Sequence, residues 1–419
     1  MKTSLFHGIR RGSRISYAVL LSERHRTLTS LTIGGALAMF SGLPALVSAT
    51  GQNSNGMGTS IEPVSSTPVE HPQARPRTYR YVDLGSLADP PSDHTSAAWG
   101  INRSGQIVGA SETDVFGAGH AFLWQNGQLM DLGAIGGGTF AASAAFGINN
   151  HGHIVGQTTV SSSEPPHAFL YRDGVMNDVG TGFGRGSFSR AWDINHNGQI
   201  VGERSRTQSA AVRAFLYQSG GFLDLGTLGG HDPFPFGVDS IAYAINDRGQ
   251  VAGTALPTDP PLHAFLWEEG VMQDLGTLGG NAEATQAFGI NNSGAIVGVS
   301  QTFGEQIHAF LWRDGVMQDL GTLGGDSSYA YAINRAGQIV GGSRTPTSPE
   351  FNAGHAFIWE RGRIIDLNEA VTNLPADVVL EVARAINDEG SIVGITCTQF
   401  CEPGATATVH GYLLLPNPD

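Results

Sequence analysis

The sequence predicts an all-β fold, a seven-bladed β-propeller closed by its N-terminal strand. Three observations predict it: three short motifs each recur seven times, their spacing is close to 47 residues, and the repeat is offset by one strand between the ends of the chain. A fixed period in this range is typical of propellers and solenoids, because one repeat cannot bury its apolar face alone. The predicted propeller covers residues 78–419.

Each motif marks one place in the repeat. D-L-G and its variants mark the first, with aspartates 45–50 residues apart: Asp83, Asp131, Asp178, Asp224, Asp274, Asp319 and Asp366. I-N-x-x-G marks the second, with the asparagines Asn102, Asn149, Asn195, Asn246, Asn291, Asn334 and Asn387. H-A-F-L-W and its variants mark the third, which begins at His120, His167, Arg213, His263, His308, His355 and His410.

Within each repeat the pattern predicts four short strands, a to d. Strand a is the A-[WFY]-[GDA]-I-N segment and strand b is G-Q-I-V-G. They are joined by a hairpin in which Asn caps the turn and Gly adopts a positive φ. Strand c is H-A-F-L-W and strand d is V-M-x-D-L-G, joined by tight glycine turns. Apolar residues alternate with a period of two, which is the pattern of a half-buried strand.

The two ends of the repeat region predict a closed ring. The first segment, residues 81–85, matches strand d alone, whereas the last repeat supplies a, b and c and stops at Asp419 without a d. The first strand can therefore complete the last sheet, which removes the unpaired sheet edges that an open array would leave.

The first 77 residues are predicted to lie outside the propeller. Residues 1–49 combine a basic region with an apolar segment that ends in the small residues Val47, Ser48 and Ala49, which predicts a signal peptide; an uncleaved membrane anchor is the alternative. Residues 50–77 are rich in Ser, Pro, Gly and Asn and predict a disordered linker. We therefore expect an exported protein, secreted, at the cell surface or in the periplasm.

The charge of the chain excludes one class of partner. Without residues 1–49 the chain has 17 arginines against 36 acidic residues, a formal charge of −19. Such a surface repels phosphate backbones, and no basic stripe with interleaved aromatic residues interrupts it, so we expect no nucleic-acid binding. Neutral and basic ligands are compatible with this charge.

The repeated H-A-F-L-W, D-L-G-T-L-G-G and I-N-x-x-G-Q-I-V-G strings resemble the bacterial extracellular repeat family named after the HAF tripeptide. The resemblance covers the chain from about Tyr81 to the end. It implies export and a repeat β-fold, and it brings no established catalytic residues. Two repeats depart from the pattern: Arg213 replaces the histidine in one, and another reads His410-Gly411-Tyr412.

The repeated histidines and aspartates are predicted to be structural. Metal ligands must converge on one ion at about 2 Å, whereas here each histidine begins strand c of a different blade. We expect each histidine to form a hydrogen bond within its own blade. We expect each D-L-G aspartate to accept hydrogen bonds from backbone N–H groups, because one acid per blade at a fixed strand position does not make an acid–base pair.

One repeat contains a candidate calcium loop. Asp193, Asn195 and Asn197 place oxygen ligands at alternate positions before Gly198, as a calcium loop does. Against this interpretation, Asn195 and Gly198 occupy hairpin positions found in every repeat, and Glu203 misses the closing position by one residue. We otherwise expect no cofactor.

Cys397 and Cys401 are predicted to form a local disulfide in the loop after the last strand b. An exported protein favours disulfide formation, and a C-x-x-x-C pair without two further ligands is a poor zinc site.

The loops predict which face of the ring is used for recognition. The a→b and c→d connections are short turns, so we expect that face to be a plain surface. The b→c and d→a loops emerge on the opposite face and vary in length. One of them contains an insertion with His231, Asp232, Phe234 and Phe236, which we predict to be binding residues, since aromatic side chains beside prolines cost little entropy on binding. The alternative is that the two phenylalanine rings fold over the edge of the blade as a local plug.

Two functions of different classes follow. The first is a non-catalytic scaffold, monomeric, that binds a protein or glycan at the cell surface through these loops. The alternative is a propeller enzyme, a hydrolase or lyase acting on an extracellular polysaccharide, which requires carboxylates or a His/Arg set that meet at the mouth of the axis. Convergence of titratable groups at the axis would distinguish the two.

Overall fold

The chain forms a β-propeller in a computed structural model that describes residues 77–418 apart from 89–93, 114–118, 138–140, 162, 181–185, 206–210, 232–236, 260, 280–283, 305, 348–353 and 399–408. Within these residues the strands form seven four-stranded sheets, each of which is one blade. The predicted fold class is confirmed. The predicted signal peptide and nearly all of the predicted linker lie outside the described residues. No helix in the described part has the length and apolarity needed to span a bilayer.

The strands follow one another regularly. The N-terminal strand is β1 (Tyr79–Asp83). Blade 1 is β2 (Ser96–Ile101), β3 (Ile107–Glu112), β4 (Gly119–Gln125) and β5 (Gln128–Asp131); blade 2 is β6 (Ser143–Ile148), β7 (Ile154–Thr158), β8 (His167–Arg172) and β9 (Val175–Asp178). Blade 3 is β10 (Phe188–Ile194), β11 (Ile200–Ser205), β12 (Arg213–Gln218) and β13 (Gly221–Asp224); blade 4 is β14 (Ser240–Ile245), β15 (Val251–Ala255), β16 (His263–Glu268) and β17 (Val271–Asp274).

The remaining blades keep this order. Blade 5 is β18 (Thr285–Ile290), β19 (Ile296–Gln301), β20 (Ile307–Arg313) and β21 (Val316–Asp319); blade 6 is β22 (Ser328–Ile333), β23 (Ile339–Ser343), β24 (His355–Glu360) and β25 (Arg363–Asp366). A short helix, α1 (Leu367–Ala370), follows, and blade 7 is β26 (Val378–Ile386), β27 (Ile392–Thr398), β28 (Gly411–Pro416) and β1.

The aromatic residue of strand c, which is phenylalanine in blades 1 to 6 and Tyr412 in blade 7, is the centre of each blade. In blade 1 Phe122 is fully buried and lies directly across from Gly109 of strand b. A Cβ atom at Gly109 would lie 2.8 Å from the Phe122 ring and closer still to the carbonyl oxygen of Ala97. The glycine of the repeated I-V-G segment is therefore required, because it makes room for the ring that fills the blade.

A bulge bends strand a of every blade. In blade 1 the register shifts between Ala98 and Gly100, so that Trp99 between them has no partner across the strand pair. Equivalent shifts occur in the other blades, and β26 contains two. Bulges re-aim side chains. In blades 1 to 6 the residue at the bulge is the aromatic residue of strand a, so its side chain departs from the regular alternation of the strand.

The closure of the ring by the N-terminal strand is observed. β1 pairs antiparallel with β28, from Tyr79 opposite Pro416 to Asp83 opposite Tyr412. The hydrogen bond between His410 Nδ1 and Asp83 joins residues 327 positions apart in the sequence. Tyr79 and Tyr412 are buried in the core that this pairing completes.

A clamp on the outer edge of β1 was not predicted from the sequence. After α1 the chain runs beside β1, with a parallel bridge between Val371 and Tyr79. Asn373 uses both ends of its amide on one residue: its Oδ1 accepts from Tyr81 N at 2.7 Å, and its Nδ2 donates to Tyr81 O at 3.1 Å. The strand that closes the ring is thus held on both edges, by β28 and by residues 371–373.

A ring of asparagines joins all the blades around the axis. The Nδ2 of the I-N-x-x-G asparagine in each blade donates to the main-chain oxygen of the corresponding asparagine in the next blade at 3.0–3.1 Å, and Asn387 returns to Asn102. The Oδ1 accepts from the backbone N–H four residues later, which caps the a→b turn. In that turn Gly105 has the predicted positive φ of 78°.

We expect closure by β1 to control the stability of the whole ring. Deleting residues 78–85 should lower the thermal midpoint and broaden the unfolding transition, because β28 is left with an open edge and blade 7 loses buried tyrosines. Differential scanning calorimetry of the 50–419 chain with and without the deletion measures this. A matched truncation of residues 50–76 keeps β1 and should melt normally. Equal midpoints for the two truncations would contradict closure by β1.

Candidate functional site

The repeated histidines and aspartates form one pair in each blade. In six blades the histidine Nδ1 lies 2.6–2.9 Å from the carboxylate of the D-L-G aspartate. Because an ionised carboxylate only accepts hydrogen bonds, Nδ1 is the donor. The same carboxylates also accept backbone N–H groups two residues later, for example from Gly133 to Asp131 at 2.7 Å. The seven pairs are separate, which agrees with a structural role.

The arginine in blade 3 keeps this pairing. Arg213 stands at the histidine position, and its Nη2 lies 3.2 Å from Asp224. Its Nη1 also lies 3.4 Å from Asp239. The substitution that breaks the sequence motif therefore preserves the contact, since either residue supplies a cationic donor to the same acid.

The pairs shift the pKa values of their members. The hydrogen bond to the aspartate raises the pKa of four of these histidines: His120, His167, His355 and His410. For Asp83, Asp131 and Asp366 burial alone would raise the carboxyl pKa, but the histidine and backbone donors together outweigh burial and lower that pKa. Both shifts favour the charged pair.

The mouth of the axis on the a→b face is an open depression of about 200 Å³. Three residues from every blade line it: the isoleucine and asparagine of I-N-x-x-G and the residue that follows. This following residue differs between blades: Arg103, Asn150, His196, Asp247, Asn292, Arg335 and Asp388. The sequence predicted a plain surface here because each turn was considered singly, whereas the ring brings seven turns to one point. We call this depression the axial cup.

A collar of aromatic rings surrounds the axis at the level of the strand-a bulges. Consecutive blades place rings 4.7–5.5 Å apart: Trp99, Phe146, Trp192, Tyr243, Phe288 and Tyr331. In blade 7 the position is Arg384, whose Cζ lies 4.2 Å from the Tyr331 ring centroid. Tilted and edge contacts at these distances are favourable, so the collar adds to the packing between blades.

Blade 3 concentrates buried charge near this collar. Arg190 Nη1 lies 2.8 Å from Glu203, and Arg190 Nε donates to Gln157 of blade 2 at 2.8 Å. The side chains of Arg190 and Glu203 are 15% and 6% exposed. Burial raises the pKa of Glu203 although Arg190 opposes the shift. The strand-a and strand-b patterns did not single out these two residues, although other blades have smaller or uncharged residues at both positions.

The candidate calcium ligands point to separate partners. Asp193 accepts from Ile194 N and from Ile245 N of the next blade, and burial raises its pKa. Asn195 belongs to the asparagine ring, and Asn197 Nδ2 donates to the Asp247 carbonyl at 3.0 Å. Within the described ranges no three His, Cys, Asp or Glu side chains are grouped as a metal site. Calcium binding at these residues stays a prediction.

The face of the b→c and d→a loops holds one of the predicted binding residues among those described. His231 is 71% exposed, and its Nδ1 lies 2.9 Å from the buried Asp239. Asp232, Phe234 and Phe236 lie outside the described residues. Cys397 is buried and disulfide-bonded, and its predicted partner, Cys401, also lies outside them.

Phe303 is an exposed aromatic residue on this face that sequence reasoning missed. Its side chain is 82% exposed in the b→c loop of blade 5. Its backbone is held, since a Cβ on Gly279 of the preceding d→a loop would collide with Thr302 and Phe303. The signal was a phenylalanine in a short polar loop, T-F-G-E, which carries no periodicity.

Hydrogen bonds from the T-L-G-G segment of the repeat hold the ends of these loops in place. In the d→a loop between blades 3 and 4, Gly230 N donates to Leu256 O, and between blades 5 and 6 Gly325 N donates to Arg344 O. Leu278 N and Leu323 N donate to Ser300 and Ser343 at the ends of the next strands b. These d→a loops are thereby tied to the b→c loops of the blades that follow them.

Comparisons with known proteins assign no function to the chain. The family described as a protein of unknown function (DUF3466) matches residues 83–228, which is blades 1 to 3 with part of β1. No curated protein matches the sequence.

Solved structures that resemble the chain include TolB from Acinetobacter baumannii, with 13% identity over 61% of this chain and 60% of TolB and a TM-score of 0.36. A lectin from Aleuria aurantia in complex with Fucα1-6GlcNAc has 14% identity over 68% of this chain and 99% of the lectin, with a TM-score of 0.37. A protein of unknown function from Dyadobacter fermentans has 10% identity over 81% and 99%, with a TM-score of 0.38. Similarity at this level does not extend to function.

We expect the histidine pairs to make stability depend on pH. A raised histidine pKa contributes stability fully below the unfolded value of 6.5, and this is lost as the pH rises; a lowered aspartate pKa contributes above 3.8, and this is lost as the pH falls. The pairs therefore stabilise most between these values. Melting curves should show a higher midpoint at about pH 5.5 than at about pH 8.

Two variants test this source of the pH dependence. Changing His120 and His355 together to Gln should flatten the dependence, with an effect below about 1 kcal/mol per pair because the aspartates are partly exposed or held by other donors as well. Arg213→Gln is the matched control: it should lower the midpoint equally at both pH values, because arginine does not titrate there. Unchanged pH dependence in the histidine double variant would contradict the assignment.

Proposed function

We propose that this protein is an exported, non-catalytic propeller of the HAF-repeat type that binds a protein or glycan at the cell surface through the b→c and d→a loops. It acts as a monomer, without a cofactor, and its ligand contacts the loop face rather than the edges of the blades.

The observation that carries this proposal is the use of the repeated polar residues. In each blade the histidine or arginine is paired with the D-L-G aspartate, and the asparagine of I-N-x-x-G is committed to the ring around the axis. The residues that define the repeat therefore hold the blades together and are not available to a ligand. Differences between blades are concentrated in the loops, and a rigid frame with variable loops is a usual basis for recognition.

The loop face also presents apolar surface with little conformational freedom. Phe303 is exposed while its backbone packs against the Gly279 loop, so binding through its ring would immobilise few additional bonds. In the sequence Phe234 and Phe236 fall between β13 and β14, and they are predicted to belong to the same face. Exposed aromatic residues are frequent anchors in protein and sugar interfaces.

Binding should depend on these rings and not on stability. Phe303→Ser and the double change of Phe234 and Phe236 to Ser should each leave the thermal midpoint unchanged and reduce binding by about tenfold or more, as loss of an interface anchor does. Adhesion of labelled protein to cells and to glycan arrays is the measurement.

Val316→Ser is the matched control for this experiment. Val316 is 68% exposed in the same blade as Phe303, but at the c→d turn on the opposite face. The control should bind like the unchanged protein. If the phenylalanine variants bind normally, or if they lose binding only because they melt earlier, the loop face is not the recognition surface.

A second candidate function, a hydrolase or lyase acting on an extracellular polysaccharide, is favoured by the buried charges of blade 3. Glu203 and Asp193 both have carboxyl pKa values raised by burial, and Arg190 lies beside Glu203. Carboxyl groups whose pKa is raised by burial are candidates for general acids, and an arginine is suited to a sugar carboxylate.

This second function predicts turnover that depends on Glu203. Purified protein would release reducing ends or unsaturated products from one of a panel of acidic and neutral polysaccharides. Glu203→Gln would lower the rate by at least about 100-fold, whereas the exposed turn variant Glu269→Gln would not. Absence of any product with the unchanged protein excludes this function.

A further inference from the structure

One charged residue at the rim of the axial cup is not required by the hydrogen bonds that join the blades. Four of its rim residues accept a backbone N–H from the preceding blade at 2.9–3.0 Å: Asn150, Asp247, Asn292 and Asp388. Two of the four are amides and two are acids. A side-chain oxygen is therefore what the ring requires at these positions, and asparagine supplies it as well as aspartate does.

The charge of Asp388 is used in ion pairs. Its Oδ2 lies 3.7 Å from Arg103 Nη2 and 3.6 Å from Arg335 Nη2, so that one carboxylate lies between two guanidinium groups. Arg103 Nε also donates to Glu389 at 3.1 Å. Blades 6, 7 and 1 therefore form an edge of the cup that carries two arginine side chains, each more than half exposed and each paired with a carboxylate of the same edge.

The charge of Asp247 is not used in an ion pair of this kind. Its Oδ1 accepts from His196 N, and its Oδ2 accepts from Asn292 Nδ2 at 2.7 Å, so both of these partners are neutral. In the described ranges of the chain no cationic side chain lies within ion-pair distance of Asp247. Blade 4 therefore forms an acidic edge of the cup.

The two edges face each other. In a ring of seven blades, blade 4 lies across the axis from blades 7 and 1. Isoleucines from all seven blades line the space between the edges, and the cup has a volume of about 200 Å³, the size of a small metabolite. The overall formal charge of −14 disfavours a simple anion, whereas a molecule with one positive and one negative end carries no net charge.

We propose that the axial cup binds a small zwitterion of the amino-acid type. Its ammonium group is held by Asp247, its carboxylate by Arg103 and Arg335, and its carbon skeleton by the isoleucine lining. This site lies on the face opposite the loops, and it goes beyond the proposed surface binding and does not depend on it.

The test begins with the unliganded 50–419 chain and the twenty amino acids. A ligand that binds the folded state raises the thermal midpoint, so a thermal-shift screen should find at least one apolar amino acid with a positive shift. Calorimetric titration then compares leucine with isopentylamine, which lacks the carboxylate, and with 4-methylpentanoate, which lacks the amine. Leucine should bind more tightly than either. If no amino acid shifts the midpoint, or if the three compounds bind equally, the proposal is wrong.

Variants assign the two ends of the ligand. Asp247→Asn keeps the ring acceptor and should weaken leucine and isopentylamine by about tenfold or more, as loss of a charged hydrogen bond does, while 4-methylpentanoate is unaffected. Arg335→Gln should weaken leucine and 4-methylpentanoate. Asp314→Asn is the control: it removes a charge from an exposed c→d turn outside the cup and should not weaken leucine. Equal losses in the Asp247 and Asp314 variants would overturn the assignment. Phe303→Ser should bind leucine normally, which separates this site from the loop face.

Discussion

The asparagine ring is the interaction on which the rest of the structure depends. One amide in each blade performs two tasks: Oδ1 fixes the turn at the end of strand a, and Nδ2 joins that strand to the next blade. Asn102 and its six counterparts are buried, where an unpaired amide would be costly. The seven bonds are satisfied together only when the ring is complete, because each blade supplies the acceptor for its predecessor. Blade number and closure are thus linked to the local geometry of a four-residue turn.

Much of the frame could be predicted from the sequence because its causes repeat. The period gave the strands and the blade number, and the offset between the ends gave the pairing of β1 with β28. The same reasoning anticipated that His120 and its counterparts are held within their blades. The axial cup could not be predicted, because its residues are about 47 positions apart and look like ordinary turns one at a time. The clamp by Asn373 was missed because it occurs once and has no repeat to mark it.

The positions at which a repeat departs from its consensus divide into two kinds. Arg213 departs in identity and preserves the contact, since it still pairs with the aspartate of its blade. Arg190 and Glu203 depart and create a contact that other blades lack, as Asp247 creates a charge that the ring does not need. In a repeat protein the first kind is tolerated variation. The second kind adds groups that the repeat itself does not require, so these positions are candidates for function beside the variable loops.

The two contacts that hold β1, with β28 and with residues 371–373, also determine when during folding the ring can close. β1 is made near the beginning of the chain, but its partners, β28 and residues 371–373, are made near the end. Until those residues are available, six blades can form while the seam of the ring stays open. If the chain crosses a membrane with its N-terminus first, the ring therefore cannot close until the last strands have crossed. The cost of joining such distant ends grows only with the logarithm of the chain between them, so late closure is thermodynamically cheap even though it must come last.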